Sequence, residues 1–104
     1  MRQGQGQTVR FRVGESTVRL LREAHPSVKR KLRAGLDCIR TEPEIGKMLK
    51  DELAGLRSFR VSRFRIIYRI SARDIIDIVA IGPRRSIYQE TYRLILKEGK
   101  SDDK

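Results

Sequence analysis

The fold is decided by one stretch of the sequence, Leu56-Arg57-Ser58-Phe59-Arg60-Val61-Ser62-Arg63-Phe64-Arg65-Ile66-Ile67-Tyr68. Apolar and polar side chains alternate on both sides of Ser62-Arg63, which is the pattern of two half-buried strands joined by a two-residue turn. The register that follows pairs Val61 with Phe64 on an apolar face. On the other face it sets Arg60 directly opposite Arg65, so the stretch predicts a β-hairpin with a basic face.

The facing pair Arg60 and Arg65 indicates a binding role for that basic face. Like charges directly opposite each other destabilise a sheet by some tenths of a kcal/mol, so an anion held between them would explain their presence. The planar fork of arginine suits phosphate, and Arg84 and Arg85 follow the last predicted strand closely enough to reach the rim. We interpret the face as a solvent-facing, phosphate-binding surface with Ser58 and Ile67 on its floor, on the side of the sheet that the helix pair does not cover. Plain solvation of an exposed sheet face is the alternative.

The rest of the chain supplies elements that pack against this hairpin. The predicted elements are, in chain order, a strand at 8–13, helices at 15–24 and 26–41, strands at 56–61, 64–70 and 74–81, and a helix at 89–97. The strand at 74–81 is almost continuously apolar, as expected of a central strand. The order β-α-α-β-β-β-α predicts an α+β fold, in which the helix pair covers one face of a small, antiparallel-rich, four-stranded sheet and a short C-terminal helix follows.

Apolar spacing assigns the core faces of the helices. The second helix has a stripe at helical spacing, formed by Val28, Leu32, Leu36 and Ile39. Residues 44–56 mix apolar anchors with charges and glycines, and they predict a tight, partly helical connection. In the last helix we expect Tyr92 and either Ile95 or Leu96 to point inward.

Length and composition limit the protein to one domain with an anionic partner. A chain of 104 residues, 38% of them hydrophobic, is enough for a single modest core and excludes a separate cofactor lobe. Its 24 lysines and arginines exceed its 13 acidic residues, and the net charge of +11 favours anionic partners. Residues 47–93 hold 11 of these cations against five acids, so about half of the surplus lies around the predicted hairpin.

The ends and the apolar runs of the chain carry no membrane signal. Residues 1–7 are polar and Gly-rich and are expected to form a flexible tail, while residues 98–104 are expected to be a frayed C-terminus of the single domain 1–104. No run approaches the roughly 18 consecutive apolar residues of a membrane helix, and the N-terminus has no apolar signal core. We therefore expect a cytoplasmic protein with no membrane partner.

Cys38 and His25 do not indicate a metal or redox site. A single cysteine cannot form an internal disulfide, and no second cysteine or nearby histidine accompanies it. We expect Cys38 to be a packing residue on or near the apolar stripe, with a reactive thiol as the alternative. His25 is expected to sit at the start of the second helix. Neither a metal nor a cofactor is expected.

Two motifs of the chain occur together in one known protein family. The run Leu49-Lys50-Asp51-Glu52-Leu53-Ala54-Gly55-Leu56-Arg57-Ser58-Phe59-Arg60-Val61-Ser62-Arg63-Phe64-Arg65-Ile66-Ile67-Tyr68 is similar to an L-x-G-x-x-x-x-R-V-x-x-x-R-I-I-Y core. Residues 78–88 are similar to a last strand that is followed by an Arg-x-x-x-Tyr element. Together these motifs resemble the RelE/ParE superfamily of toxins from type II toxin-antitoxin systems. The similarity covers residues 8–97 in the order of their elements.

The resemblance implies roles for individual residues. Members that resemble RelE are ribosome-dependent ribonucleases that cut messenger RNA on a basic sheet face. Arg60 and Arg65 match their phosphate-contacting and transition-state-stabilising cations, Arg84 their cation after the last strand, with Arg85 as its alternative, and Tyr88 their C-terminal tyrosine. Tyr88 would stack on a base or join a proton relay, or else anchor the last helix. The expected catalytic residues are Arg60, Arg65, Arg84 and Tyr88, and the expected RNA-binding residues are Ser58, Arg63, Arg85, Lys47 and Lys50.

The chain departs from RelE-like enzymes at the general base. Those enzymes often carry lysines on the strand where this chain has Ser58 and Arg60. Arginine, with a pKa above about 12, is a poor base at neutral pH. Lys47, Lys50 and a ribosomal group are the remaining candidates for the proton acceptor.

The expected function is that of a toxin, a metal-independent and ribosome-dependent endoribonuclease that cleaves messenger RNA and inhibits translation. One alternative is a ParE-like inhibitor of DNA gyrase with the same fold, and another is a non-catalytic RNA-binding module. The resemblance implies an acidic, RelB-like antitoxin as a partner, besides the ribosome and messenger RNA. It also allows a toxin–antitoxin heterotetramer.

Overall fold

The computed structural model of the protein describes residues 9–102, with residues 98–102 described by their backbone alone. The predicted flexible tail at 1–7, and positions 103–104 of the predicted frayed end, lie outside the described residues. The described helices and strands are β1 (Arg10–Val13), α1 (Glu15–Glu23), α2 (Pro26–Thr41), β2 (Lys47–Met48), β3 (Arg57–Val61), β4 (Phe64–Ala72), β5 (Ile75–Pro83) and α3 (Ile87–Asp102). Two 3-10 turns, Pro43–Ile45 and Asp51–Leu53, flank β2, which confirms the predicted partly helical connection.

The sheet has five strands in the order β1-β5-β4-β3-β2, so the prediction of four strands is wrong by one. β1 runs parallel to β5, and the other neighbouring strands are antiparallel. The missed strand β2 consists of Lys47 and Met48, which pair with Ser58 and Arg57 at the sheet edge. Two residues are too few to show the alternation by which a strand is recognised in a sequence.

The β3–β4 hairpin has the predicted register. Its facing residues are Phe59 and Ile66, Arg60 and Arg65, and Val61 and Phe64. Ser62 opens the two-residue turn with a φ of 57°, a left-handed conformation that residues other than glycine adopt infrequently. The register is firmly determined because a slip of one residue would turn the apolar side chains away from the core.

The helix pair covers the apolar face of the hairpin. α2 has the predicted range, and the backbone N–H of Ser27 donates to Nδ1 of His25 at its start (3.1 Å), as the prediction for that histidine required. Leu32 and Ile39 of the predicted stripe are fully buried, and the remaining stripe residues pack around them. The main core therefore lies between α2 and the sheet, as predicted.

Cys38 is exposed, so the prediction that it is a packing residue on or near the apolar stripe is wrong. Successive helix residues are about 100° apart around the axis, since a turn takes about 3.6 residues. Ile39 points at the core, and Cys38, one position before it, therefore points to the side.

α3 packs on the other face of the sheet and forms a second, smaller core. That core consists of Leu56, Ile67, Ala80 and Ile87, with Leu94, Ile95 and other half-buried residues around it. Of the two alternatives Ile95 and Leu96, Ile95 packs inward and Leu96 is 46% exposed, whereas Tyr92 is 40% exposed and the inward prediction for it is wrong. The helix begins at Ile87, two residues before the predicted start, and continues to Asp102, beyond the predicted end at Lys97. None of the helices in the described part of the chain is both long and apolar enough to cross a bilayer.

Tyr68 fixes the connection between α2 and β3 on the sheet. Its hydroxyl donates to the carbonyl oxygen of Pro43 (2.6 Å) and accepts from the backbone N–H of Gly46 (2.9 Å). A β-carbon on Gly46 would lie 2.6 Å from that hydroxyl oxygen, so the close approach requires glycine. Burial raises the pKa of Tyr68 above its usual value. These contacts hold β2, and with it Lys47, beside β3.

Candidate nucleic-acid interface

A row of three paired residues forms the centre of the candidate site. Arg60 on β3 pairs with Arg65 on β4, and Arg65 in turn pairs with Gly82 on β5. Directly paired residues project on the same side of a sheet, so both arginines lie on the face that α3 partly covers. Gly82 leaves room there for the helix, since a β-carbon at this position would lie 2.9 Å from Cδ1 of Ile87.

The guanidinium group of Arg65 contacts two neighbouring side chains of the protein. Its Nη1 donates to Oγ of Ser58 (3.0 Å), and its Cζ lies 5.8 Å from the ring centroid of Tyr88, within the range of a cation–π contact. The hydroxyl of Tyr88 also donates to Oγ of Ser58 (3.3 Å). Three predicted site residues therefore form one cluster.

Ser58 does not lie on an open floor. It is 3% exposed, and α3 covers the part of the sheet from which it projects. The prediction of a solvent-facing surface above Ser58 is wrong for this reason, because the C-terminal helix occupies that space. The described arrangement engages the hydroxyl with Arg65 and Tyr88, whereas Arg60, one row further along, is exposed.

The other arginines of the predicted site lie at the end of the sheet where the β3–β4 turn is. The backbone N–H of Arg84 donates to the carbonyl oxygen of Arg63 (3.0 Å), which ties the end of β5 to the β3–β4 turn. The side chains of Arg63, Arg84 and Arg85 are all exposed. This backbone hydrogen bond therefore places Arg84 and Arg85, the predicted rim of the site, beside Arg63.

The two candidate lysines differ in position. Lys47 pairs directly with Ser58, so it projects on the same face as Arg65 and Tyr88, and it is exposed. Lys50 precedes the second 3-10 turn, where its carbonyl oxygen accepts from the backbone N–H of Leu53, and no hydrogen bond among the described residues joins its side chain to the arginines. Lys47 is therefore the better placed of the two.

The ion pairs among the described side chains do not include Arg60 or Arg65. Asp77 pairs with Arg12 (2.6 Å) and Arg69 (3.2 Å), and these contacts, with the Arg12 hydrogen bond as the largest cause, lower its pKa to about 2. Among residues whose side chains the structure describes, no carboxylate lies within ion-pair distance of Arg60 or Arg65. The facing arginines therefore have no counter-ion among the described side chains.

Glu90 is a nearby residue that the sequence interpretation missed. Its Oε1 would lie 3.5 Å from a β-carbon placed on Gly82, so the carboxylate approaches the row of arginines from α3. The sequence spacing indicates this position, because Ile87 and Glu90 are three residues apart and therefore lie on one side of the helix. Locating it required the correct start of α3.

The comparison with known proteins gives the family. The sequence model described as "ParE toxin of type II toxin-antitoxin system, parDE" matches residues 9–88, which is most of the chain. The chain belongs to this toxin family. The resemblance to RelE/ParE toxins is thereby confirmed. A search of curated proteins found no match to the sequence.

Solved structures similar to the toxin include several toxin-antitoxin complexes. The RelBE2 complex of Mycobacterium tuberculosis matches with a TM-score of 0.65 and 26% identity, over 74% of this chain and 99% of that chain. The archaeal RelE-RelB complex of Pyrococcus horikoshii OT3 matches with a TM-score of 0.60 and 26% identity, over 76% and 98%. A mutant of the E. coli toxin RelE in the free state gives a TM-score of 0.69 over 88% and 98%, but at 14% identity it shows the fold alone.

Proposed function

We propose that this toxin binds messenger RNA through the face that carries Arg60 and Arg65 and cleaves it on the ribosome in the cytoplasm. The observation that supports the proposal is the facing arginine pair, which has no carboxylate partner among the described side chains. Such a pair is unfavourable without an anion, and a phosphate accepts hydrogen bonds from two guanidinium groups at once. Arg63, Arg84 and Arg85 would contact neighbouring phosphates.

The proposed reaction is metal-independent attack of a 2′-hydroxyl on the adjacent phosphorus. The proton leaves the 2′-oxygen as the O–P bond forms, and the 5′-oxygen departs and takes up a proton. Arg65 and Arg60 would stabilise the charge that develops on the phosphate oxygens, with Arg84 at the rim. Tyr88 would hold Arg65 and line the site. Lys47, acting as the free amine, is the protein group that we assign as proton acceptor, because it projects beside Ser58 on the same face.

Primer extension on a translated messenger tests the proposal. The wild-type toxin is expected to cut within codons on ribosomes, and Arg65→Ala is expected to lower the cutting rate by about 100-fold or more, as for loss of a group that stabilises transition-state charge. Arg73→Ala is the matched control, since Arg73 is exposed beyond the opposite end of β4 and the charge change is the same. Cutting that is absent in the wild type, or equal in both variants, would contradict the proposal.

Inhibition of DNA gyrase is the second candidate function, and the match to the ParE family model favours it. A supercoiling assay with purified gyrase separates the two functions, because a toxin that acts by binding gyrase lowers supercoiling in the absence of ribosomes. Inhibition of supercoiling together with intact messenger RNA would select this candidate and exclude the nuclease.

We propose an acidic antitoxin as the partner that neutralises the toxin. The similar structures include complexes with RelB antitoxins, and the net charge of +11 supports an acidic segment as the ligand. Co-expression with the product of an adjacent gene should restore growth that the toxin alone arrests. A toxin that is harmless alone and binds no such product would contradict this assignment.

A further inference from the structure

One buried hydroxyl group connects two candidate catalytic side chains. Ser58 is 3% exposed, and its Oγ accepts hydrogen bonds from Nη1 of Arg65 (3.0 Å) and from the hydroxyl of Tyr88 (3.3 Å). The guanidinium carbon of Arg65 also lies 5.8 Å from the centre of the Tyr88 ring. A single oxygen thus meets a residue from β4 and a residue from α3.

We infer that Ser58 is a positioning residue, which holds the guanidinium of Arg65 against Tyr88 before RNA binds; the inference rests on the proposed function. Arginine has several rotatable bonds, and a group that must meet a developing charge acts best when its orientation is already fixed. Ser58 fixes one end of the guanidinium by a hydrogen bond, and the Tyr88 ring fixes its plane.

The strand register explains why a residue at position 58 can reach Arg65. Ser58 pairs with Ile67, and Arg65 lies two residues before Ile67 on β4, so Ser58 and Arg65 are diagonal neighbours on one face. Diagonal neighbours are about 7–8 Å apart, a distance that a long side chain can span. The arginine therefore lies along the sheet, under the first turn of α3, instead of extending into solvent.

The Nε atom of Arg65 supports the same interpretation. It is buried and has no hydrogen-bond partner in the described structure. A guanidinium free to choose its orientation would expose this donor to water, because a buried donor without an acceptor is unfavourable. Ser58 and Tyr88 therefore determine the orientation.

The surroundings explain why the hydroxyl matters. The buried apolar residues under α3, Leu56, Ile67, Ala80 and Ile87, have no side-chain hydrogen-bond acceptor, and the hydroxyl of the buried Thr91 donates to the carbonyl oxygen of Ile87. Replacement of Ser58 by alanine would remove the acceptor shared by Arg65 and Tyr88 and leave the arginine free to turn outward. Threonine would retain the oxygen.

Single-turnover cleavage on programmed ribosomes tests the inference. Ser58→Ala is expected to lower the maximal cleavage rate by about 10-fold to 30-fold while the concentration for half-maximal rate stays within about twofold, because orientation is lost and phosphate contacts are kept. Ser58→Thr should recover the rate to within about threefold. In an Arg65→Ala background, Ser58→Ala should lower the rate by less than about twofold further, since the two residues act as a unit.

A second measurement reads the position of Arg65 without activity. In ¹⁵N NMR spectra, the Nε–H proton of Arg65, identified by its loss in Arg65→Ala, is expected to exchange slowly with water. Exchange should be about tenfold faster in Ser58→Ala and unchanged in Ser58→Thr. A wild-type rate and slow exchange in Ser58→Ala would overturn the inference, whereas a wild-type toxin that does not cleave would overturn the proposed nuclease and leave the NMR comparison to decide the position of Arg65.

Discussion

Tyr68 joins the connection before β3 to the sheet through two hydrogen bonds of one buried hydroxyl. Tyr68→Phe would leave the N–H of Gly46 and the carbonyl of Pro43 without this partner, and the free energy of unfolding is expected to fall by about 1–3 kcal/mol. Urea denaturation measures the change. Tyr92→Phe is the matched control, because Tyr92 is 40% exposed and its change should stay within about 0.5 kcal/mol. Equal effects of the two variants would contradict the role of Tyr68.

Asp77 joins three strands through its ion pairs with Arg12 and Arg69. Its pKa falls from an ordinary 3.8 to about 2 in the folded protein, so its stabilising contribution is present above pH 3.8 and disappears as the pH falls through 2. Both guanidinium groups are at least half exposed, which limits the contribution to about 0.5–1 kcal/mol.

Asp77→Asn should therefore be less stable than the wild type at pH 6, and the difference should close between pH 4 and pH 2, as urea denaturation at several pH values would measure. Asp37→Asn removes the same charge from an exposed pair within α2, and we expect a change below about 0.5 kcal/mol at pH 6. A difference between Asp77→Asn and the wild type that stays constant down to pH 2 would contradict the assignment.

At the scale of single residues, the sequence predicted which residues pair across the strands better than it predicted which side chains are buried. The facing of Arg60 and Arg65 followed from alternation alone, because a hairpin with a two-residue turn has one register that buries its apolar side chains. The burial of Ser58 did not follow, since it depends on α3, whose approach is set by distant residues such as Gly82. Glu90 was missed because the predicted start of α3 was two residues too late.

Among the elements, α2 shows how a glycine sets the distance between a helix and a sheet. A β-carbon on Gly35 would lie 2.5 Å from Cγ2 of Val61 and 3.4 Å from Cδ1 of Ile66. Valine is stiff at χ1 and cannot easily turn away. Gly35→Ala should thus destabilise the protein by about 1–2 kcal/mol, since overpacking outweighs the gain of about 1 kcal/mol in helix propensity.

The same substitution in a Val61→Ala background provides the control, measured by thermal or urea unfolding. With the Cγ2 atom removed, Gly35→Ala should become neutral or stabilising by up to about 1 kcal/mol, because only the helix propensity remains. An equal destabilisation in both backgrounds would show that the contact with Val61 is not the cause.

The elements also differ in how far the sequence predicted them. α2 has a cap, a proline at its start and a repeated stripe, and its bounds agree with the prediction. α3 has apolar residues on more than one side, with Tyr92 and Leu96 exposed, so spacing alone could not determine its inward face. β2 forms because hydrogen bonds from Gly46 to Tyr68 and from Arg57 to Gly46 hold the preceding segment beside β3. These are tertiary contacts, and the two residues of the strand do not indicate them.

At the scale of the whole molecule, the exposed cations of residues 9–97 include two sets on different elements. One is the turn-end face with Arg60, Arg84 and Arg85, and the other is the outer side of α2 with Arg30, Lys31 and Arg33. A net charge of +11 alone does not distinguish them as sites for RNA. The proposed function requires that the first set contact phosphates.

Two triple variants separate local binding from general charge. Arg60→Gln/Arg84→Gln/Arg85→Gln removes three charges from the turn end of the sheet, and Arg30→Gln/Lys31→Gln/Arg33→Gln removes three charges from α2. Binding of single-stranded RNA is measured by anisotropy at several salt concentrations. For the first variant, the slope of log K against log salt should fall by about 2, since each lost phosphate contact contributes about 0.7. The α2 variant should change the slope by less than about 0.7. Equal decreases of the slope in the two variants would mean that RNA binding depends only on the total charge. A larger decrease in the α2 variant would mean that RNA binds at the helix pair instead.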